Sequence, residues 1–88
     1  RAGTVAEETQ QTLRNMEAIL KASGLSLDNL VSVTVFMTDL DQYAAMNEVY
    51  GAFFQARKPA RATVEVTGLP LGAKIEISGI ASGSTGPR

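Results

Sequence analysis

Two short runs near the end of the chain put chemistry-bearing residues at alternate positions. The first carries Arg61, Thr63 and Glu65, the second Glu76 and Ser78. Both runs are rich in β-branched residues and read as strands over 61–67 and 74–81, separated by the turn signals Gly68, Pro70 and Gly72. If the two pair as an antiparallel hairpin, opposed residues share a face. Matching Val64 and Val66 with Ile75 and Ile77 on the apolar side then gathers Arg61, Thr63 and Glu65 with Glu76 and Ser78 on the other. Such a face suits a small carboxylate. A guanidinium offers a planar fork of donors for two parallel hydrogen bonds, and Glu76 could activate a water or shuttle a proton. The same pair also reads as an ordinary cross-strand ion pair on a solvated face, worth little.

Composition narrows the chemistry. The 88 residues contain no Cys and no His. That removes thiol nucleophiles, thiolate and imidazole metal ligands, and the usual general base. Nine acidic residues face eight basic ones, for a formal net charge of -1. That balance provides no broad field for nucleic acid or anionic membrane. Arg57, Lys58 and Arg61 form a small basic cluster without exposed aromatic neighbours, which is thin support for RNA binding. The run from Gly68 to Gly72 lacks the spacing and Lys of a phosphate loop, and no carboxylate cluster has metal-ligand spacing. No segment reads as a signal peptide or a membrane span, so a cytoplasmic home is the expectation.

The elements that position these residues can be read in order. Thr4 and Glu7 have capping-box spacing ahead of an amphipathic helix over 5–23, with Ala6, Leu13, Met16, Ile19 and Leu20 on its apolar side and Gly24 as its stop. Residues 30–38 form a strand with Val31, Val33, Val35 and Met37 on one face. Thr38 or Asp39 caps a second helix that runs to Lys58-Pro59. Leu40, Tyr43, Met46, Asn47, Tyr50, Phe53 and Phe54 recur on it at helical steps. This stripe reads as core rather than as a ligand box, with Asn47 as a buried, satisfied amide. The order helix, strand, helix, strand, strand is that of an α+β domain over 4–81, with both helices on one face of the sheet. Residues 82–88 lack an apolar anchor and read as a flexible tail.

Several stretches resemble the Rid (RidA/YjgF/L-PSP) family of enamine/imine deaminases. They are Lys58-Pro59-Ala60-Arg61-Ala62-Thr63-Val64-Glu65-Val66, then Ala73-Lys74-Ile75-Glu76-Ile77, the run VTVFMTDLD over 33–41, and Met46-Asn47-Glu48-Val49-Tyr50 with Phe53-Phe54. The resemblance implies a chorismate-mutase-like fold with two helices on one face of a mixed sheet, and homotrimers with clefts between subunits. It implies hydrolysis of 2-enamino and 2-imino acids, such as 2-aminoacrylate, to 2-oxo acids and ammonia, with no metal or cofactor. By the same resemblance Arg61 grips the substrate carboxylate, and Thr63 stands where Cys is common and contributes backbone. Glu76 positions the hydrolytic water, and Asn47 lines the cleft. Members of the family begin with strands ahead of the first helix. Here those strands are expected to be missing, or to come from a second chain. Two other readings stand beside the deaminase: a non-catalytic binding module for 2-oxo acids, using Arg61 alone, and a ribonuclease, which the absence of His disfavours.

Overall fold

The computed structural model describes residues 3–55 and 57–83. The first helix, α1 (Val5–Ala22), begins at the capping box: Thr4 Oγ1 accepts from the Glu7 amide at 3.1 Å and Glu7 Oε1 accepts from the Thr4 amide at 2.9 Å. Gly24, at φ +78°, lets the chain turn out of the helix, and the Leu25 amide reaches back to the Leu20 carbonyl at 2.8 Å. Val5, Thr9, Leu13 and Leu20 are buried, and the Thr9 hydroxyl is satisfied by the Val5 carbonyl at 2.7 Å. Ile19, expected on this side, is 70% exposed. Thr4→Ala should lower unfolding free energy by about 1 kcal/mol, read by urea denaturation, because the Glu7 amide loses its hydroxyl acceptor.

Three strands form one mixed sheet: β1 (Leu30–Met37), β2 (Ala60–Glu65) and β3 (Ile75–Ala81), in the order β2-β1-β3. The expected hairpin between the last two strands is not formed. β1 lies between them, parallel to β2 and antiparallel to β3. The helix-covered face carries Val33, Val35 and Met37 from β1, all at 1% exposure or less, with Ile75 and Ile77 from β3. A register shift between Leu30 and Ser32 turns Leu30 into this core and leaves Val31 53% exposed, reversing the expectation for that pair. A Cβ at Gly79 would stand 2.9 Å from Leu30 Cδ2, so the bulged Leu30 fills the space that glycine leaves.

After β1, Asp39 caps not the second helix, as expected, but a short 3-10 turn (Leu40–Gln42) ahead of it, by accepting from the Asp41 amide at 2.9 Å. Glu65 Oε1 accepts from the Leu40 amide at 2.9 Å and so ties the end of β2 to this turn. The second helix, α2 (Tyr43–Phe53), stops short of the expected Lys58-Pro59. Phe54 leaves helical geometry and buries its ring against Tyr50, with centroids 4.6 Å apart. α1 packs on α2 and on β3, and the residues between helices and sheet form one core. Ser82, placed by the sequence in a flexible tail, is bonded on both sides: its amide donates to the Asn29 carbonyl at 2.9 Å and its carbonyl accepts from Asn29 Nδ2 at 3.1 Å. Residues 84–88 of that expected tail lie outside the described residues.

Candidate functional site

Arg61 sits on β2, at one edge of the described sheet, and pairs with Val33. Its side chain therefore leaves the sheet on the helix-covered side and runs under α2. Helical spacing puts Tyr43, Asn47 and Tyr50 on one stripe of that helix, at i, i+4 and i+7. All three meet the guanidinium. Nη1 donates to Asn47 Oδ1 at 2.7 Å and Nη2 donates to the Tyr43 hydroxyl at 2.5 Å. The Tyr50 ring lies beneath, its centroid 4.6 Å from Cζ, and the Tyr43 ring centroid is 5.5 Å away. These are cation–π distances, and arginine is the cation that most often uses them.

Every one of these partners is uncharged. Among the described residues Arg61 forms no ion pair; Lys74 and Glu8 do, at 3.9 Å. A cation held rigidly by neutral groups keeps its charge available to a ligand. Two hydrogens are taken by Asn47 and Tyr43, which leaves three of the five guanidinium donors for an anion. The flat, fixed fork is suited to a carboxylate.

Tyr50 contributes its ring rather than its hydroxyl. That hydroxyl is buried and has no hydrogen-bond partner among the described residues. Burial pushes the phenol above its ordinary 10.0, and the Arg61 guanidinium pulls it part of the way back, so it stays neutral through the physiological range. Tyr50→Phe should keep the stack under Arg61 and raise unfolding free energy by about 1 kcal/mol, because an unsatisfied buried polar group is removed. Thermal and urea unfolding would read the change.

The site residues expected from sequence do not all meet. Thr63 pairs with Val35 and so shares the Arg61 face, one step further along the edge strand and half-buried. Asn47 reaches Arg61 from the helix, and it is exposed rather than a buried core amide. Glu76 pairs with Phe36, and Ser78 with Thr34, on the face opposite Arg61. Glu76 is exposed there, beside Phe36 and Val64. One chain therefore cannot bring Arg61 and Glu76 to one small molecule across its own sheet, and an intrachain Arg61–Glu76 ion pair is excluded. The parity step failed because it assumed that β2 matches valine to isoleucine. β2 is an edge strand in this sheet, Val64 is 40% exposed, and its apolar residues face away from the helices. Sequence reasoning also missed Tyr43 and Tyr50 as site residues. Their spacing with Asn47 was visible, but aromatic residues at helical intervals are more often core, and Tyr50 does serve both ends.

The comparisons place the fold among known proteins. The family model described as Endoribonuclease L-PSP matches residues 1–82. The chain is 47% identical over 79 residues to Protein DfrA of Myxococcus xanthus, covering 90% of this chain and 60% of that protein. It is 46% identical over 79 residues to the 2-iminobutanoate/2-iminopropanoate deaminase of Rattus norvegicus, covering 90% of this chain and 58% of the relative. Among solved structures, a Thermotoga maritima protein described as a putative endoribonuclease superposes with a TM-score of 0.89 at 45% identity, covering 93% of this chain and 65% of that one. TdcF of E. coli, solved with bound serine, gives a TM-score of 0.89 at 42% identity, with 93% and 67% covered. The chain thus spans about 60% of the length of these two curated relatives. Some curated relatives are named as deaminases and others only as family proteins, such as the RutC family protein of Pyrococcus horikoshii. With the fold, the Arg61 strand and the Ile75–Ile77 run all in place, the chain belongs to the Rid family, whose model carries the description Endoribonuclease L-PSP.

Proposed function

We propose that the protein acts in the hydrolytic deamination of 2-enamino and 2-imino acids to 2-oxo acids and ammonia. The observation that carries this reading is the Arg61 guanidinium, fixed by Asn47 and Tyr43, stacked on Tyr50, and without a carboxylate partner among the described residues. Named deaminases among the relatives support the same chemistry. Arg61 holds the substrate carboxylate in its free fork, and Thr63, beside it, lines the same face. Water adds to the imine carbon, the nitrogen takes up protons, and ammonia leaves as the carbonyl forms. Glu76 orients that water and relays its proton.

Because Glu76 lies on the far face of its own sheet, it serves the Arg61 of a neighbouring copy. The assembly that the resemblance implies is three copies of the chain, with clefts between them. The outer edge of β3 and the apolar groove beside it, lined by Met16, Ile19 and Ile77, are the place for further strands.

Release of ammonia and 2-oxo acid from a 2-imino acid generated in the assay tests the reading. Rates equal to the uncatalysed reaction would refute it. A second reading has its own support: Arg61 and the groups that hold it lie within one chain, whereas Glu76 faces away from them. A 2-oxo acid binding module needs only Arg61 and those groups. Calorimetric binding of a 2-oxo acid without turnover of imines would favour it.

A further inference from the structure

A guanidinium has donors only, so Tyr43 accepts from Arg61 through its oxygen, and its own hydrogen points elsewhere. The Tyr43 hydroxyl makes no other hydrogen bond among the described residues, and the residue is 38% exposed. The phenol therefore offers a free donor at the rim of the carboxylate fork. Its position sets what that donor reaches. An oxygen on the second Nη2 hydrogen lies around the nitrogen from the phenol oxygen, at roughly 4.7 Å from it for ordinary bond lengths. That gap is too wide for one hydrogen bond. It is closed by a single further acceptor a hydrogen-bond length from each oxygen. The heteroatom on the carbon next to a carboxylate stands in that relation to the nearer carboxylate oxygen.

We propose that the Tyr43 hydroxyl is a specificity-determining contact that hydrogen-bonds the 2-substituent of an acid whose carboxylate is held by Arg61. The proposal rests on the carboxylate reading of Arg61. The ligand class is a small acid with an acceptor at carbon 2: a 2-oxo oxygen or an uncharged imine nitrogen. Arg61 by itself grips any small carboxylate. Tyr43 separates the 2-substituted acids from the plain ones. Its place as the first residue of α2 holds it in register with Asn47, one turn on, and the Glu65 bond to the preceding turn fixes where that helix starts.

The test compares 2-oxobutanoate with butanoate, by calorimetry or ligand-observed NMR, on the wild-type protein, Tyr43→Phe and Arg61→Ala. Tyr43→Phe keeps the ring beside Arg61 and removes only the hydroxyl. The expected result is that Tyr43→Phe loses about tenfold more affinity for 2-oxobutanoate than for butanoate, the butanoate loss reporting only the brace on Arg61. Equal losses for both acids would mean that Tyr43 merely braces Arg61, and the proposal falls. So it does if neither affinity changes. In both cases the carboxylate reading stands, provided Arg61→Ala abolishes binding. If Arg61→Ala binds both acids as the wild type does, or the wild type binds neither, the Arg61 reading itself fails and this contact fails with it.

Discussion

Arg61→Ala is expected to lower kcat/KM for a small 2-imino acid by roughly a thousandfold, while the melting temperature moves by only a few degrees. A carboxylate held in a guanidinium fork makes two charge-assisted hydrogen bonds, each worth about 1.5–3 kcal/mol. Losing both removes roughly 4 kcal/mol of interaction with substrate and transition state, which is about three decades in rate. The fold has less at stake. Arg61 is half-buried, and the two side chains it bonds, Asn47 and Tyr43, are exposed, so water can satisfy them. The stack on Tyr50 is lost, at a cost of about 1 kcal/mol. Arg61→Lys separates charge from shape. An ammonium keeps the positive charge but cannot engage Asn47, Tyr43 and a two-pronged acid in one plane, so about a hundredfold loss is expected. Steady-state kinetics with an imine generated in the assay reads both variants. Wild-type activity in Arg61→Ala would end the assignment of this residue as the carboxylate anchor.

The second large effect concerns two inactive proteins that become active when combined. Arg61→Ala and Glu76→Gln should each be nearly inactive as pure assemblies. Arg61 and Glu76 leave opposite faces of the sheet, so each proposed site takes one residue from each of two copies. In hybrids formed by refolding equal amounts together, an interface is intact when the Glu76→Gln chain supplies its Arg61 and the Arg61→Ala chain supplies its Glu76. With random cyclic assembly, about one quarter of the interfaces qualify, so about a quarter of wild-type activity should return. The arithmetic does not depend on the number of copies in the ring. If one chain supplied both residues, no hybrid would hold an intact site and activity would stay at the level of the parents. Refolding the wild type with the Arg61→Ala/Glu76→Gln double variant controls for dilution.

What the sequence determined by itself is what depends on neighbours along the chain. The Thr4–Glu7 capping box, the Gly24 stop and the identity of the three strands are all set by residues a few positions apart. The motif around Arg61 and the Ile75–Ile77 run likewise needed no coordinates to be noticed. Outside the irregularity at Leu30 and Val31, alternation also fixed which residues share a face within each strand.

Only the tertiary structure decided which strands lie side by side and which face the helices cover. The period of two says that Arg61 and Val64 point to opposite sides, but it assigns neither to the core. On the central strand, burial makes that assignment, and Val33, Val35 and Met37 obey it. On the edge strand the apolar demand is weak, so Val64 is left partly exposed and Arg61 lies under α2 on its stem and on the Tyr50 ring. The insertion of β1 between β2 and β3 is a contact between residues tens of positions apart, which local pattern does not encode. That one non-local choice separates Arg61 from Glu76. It also brings Arg61 to Tyr43, Asn47 and Tyr50, because the strand that carries it lies beneath α2.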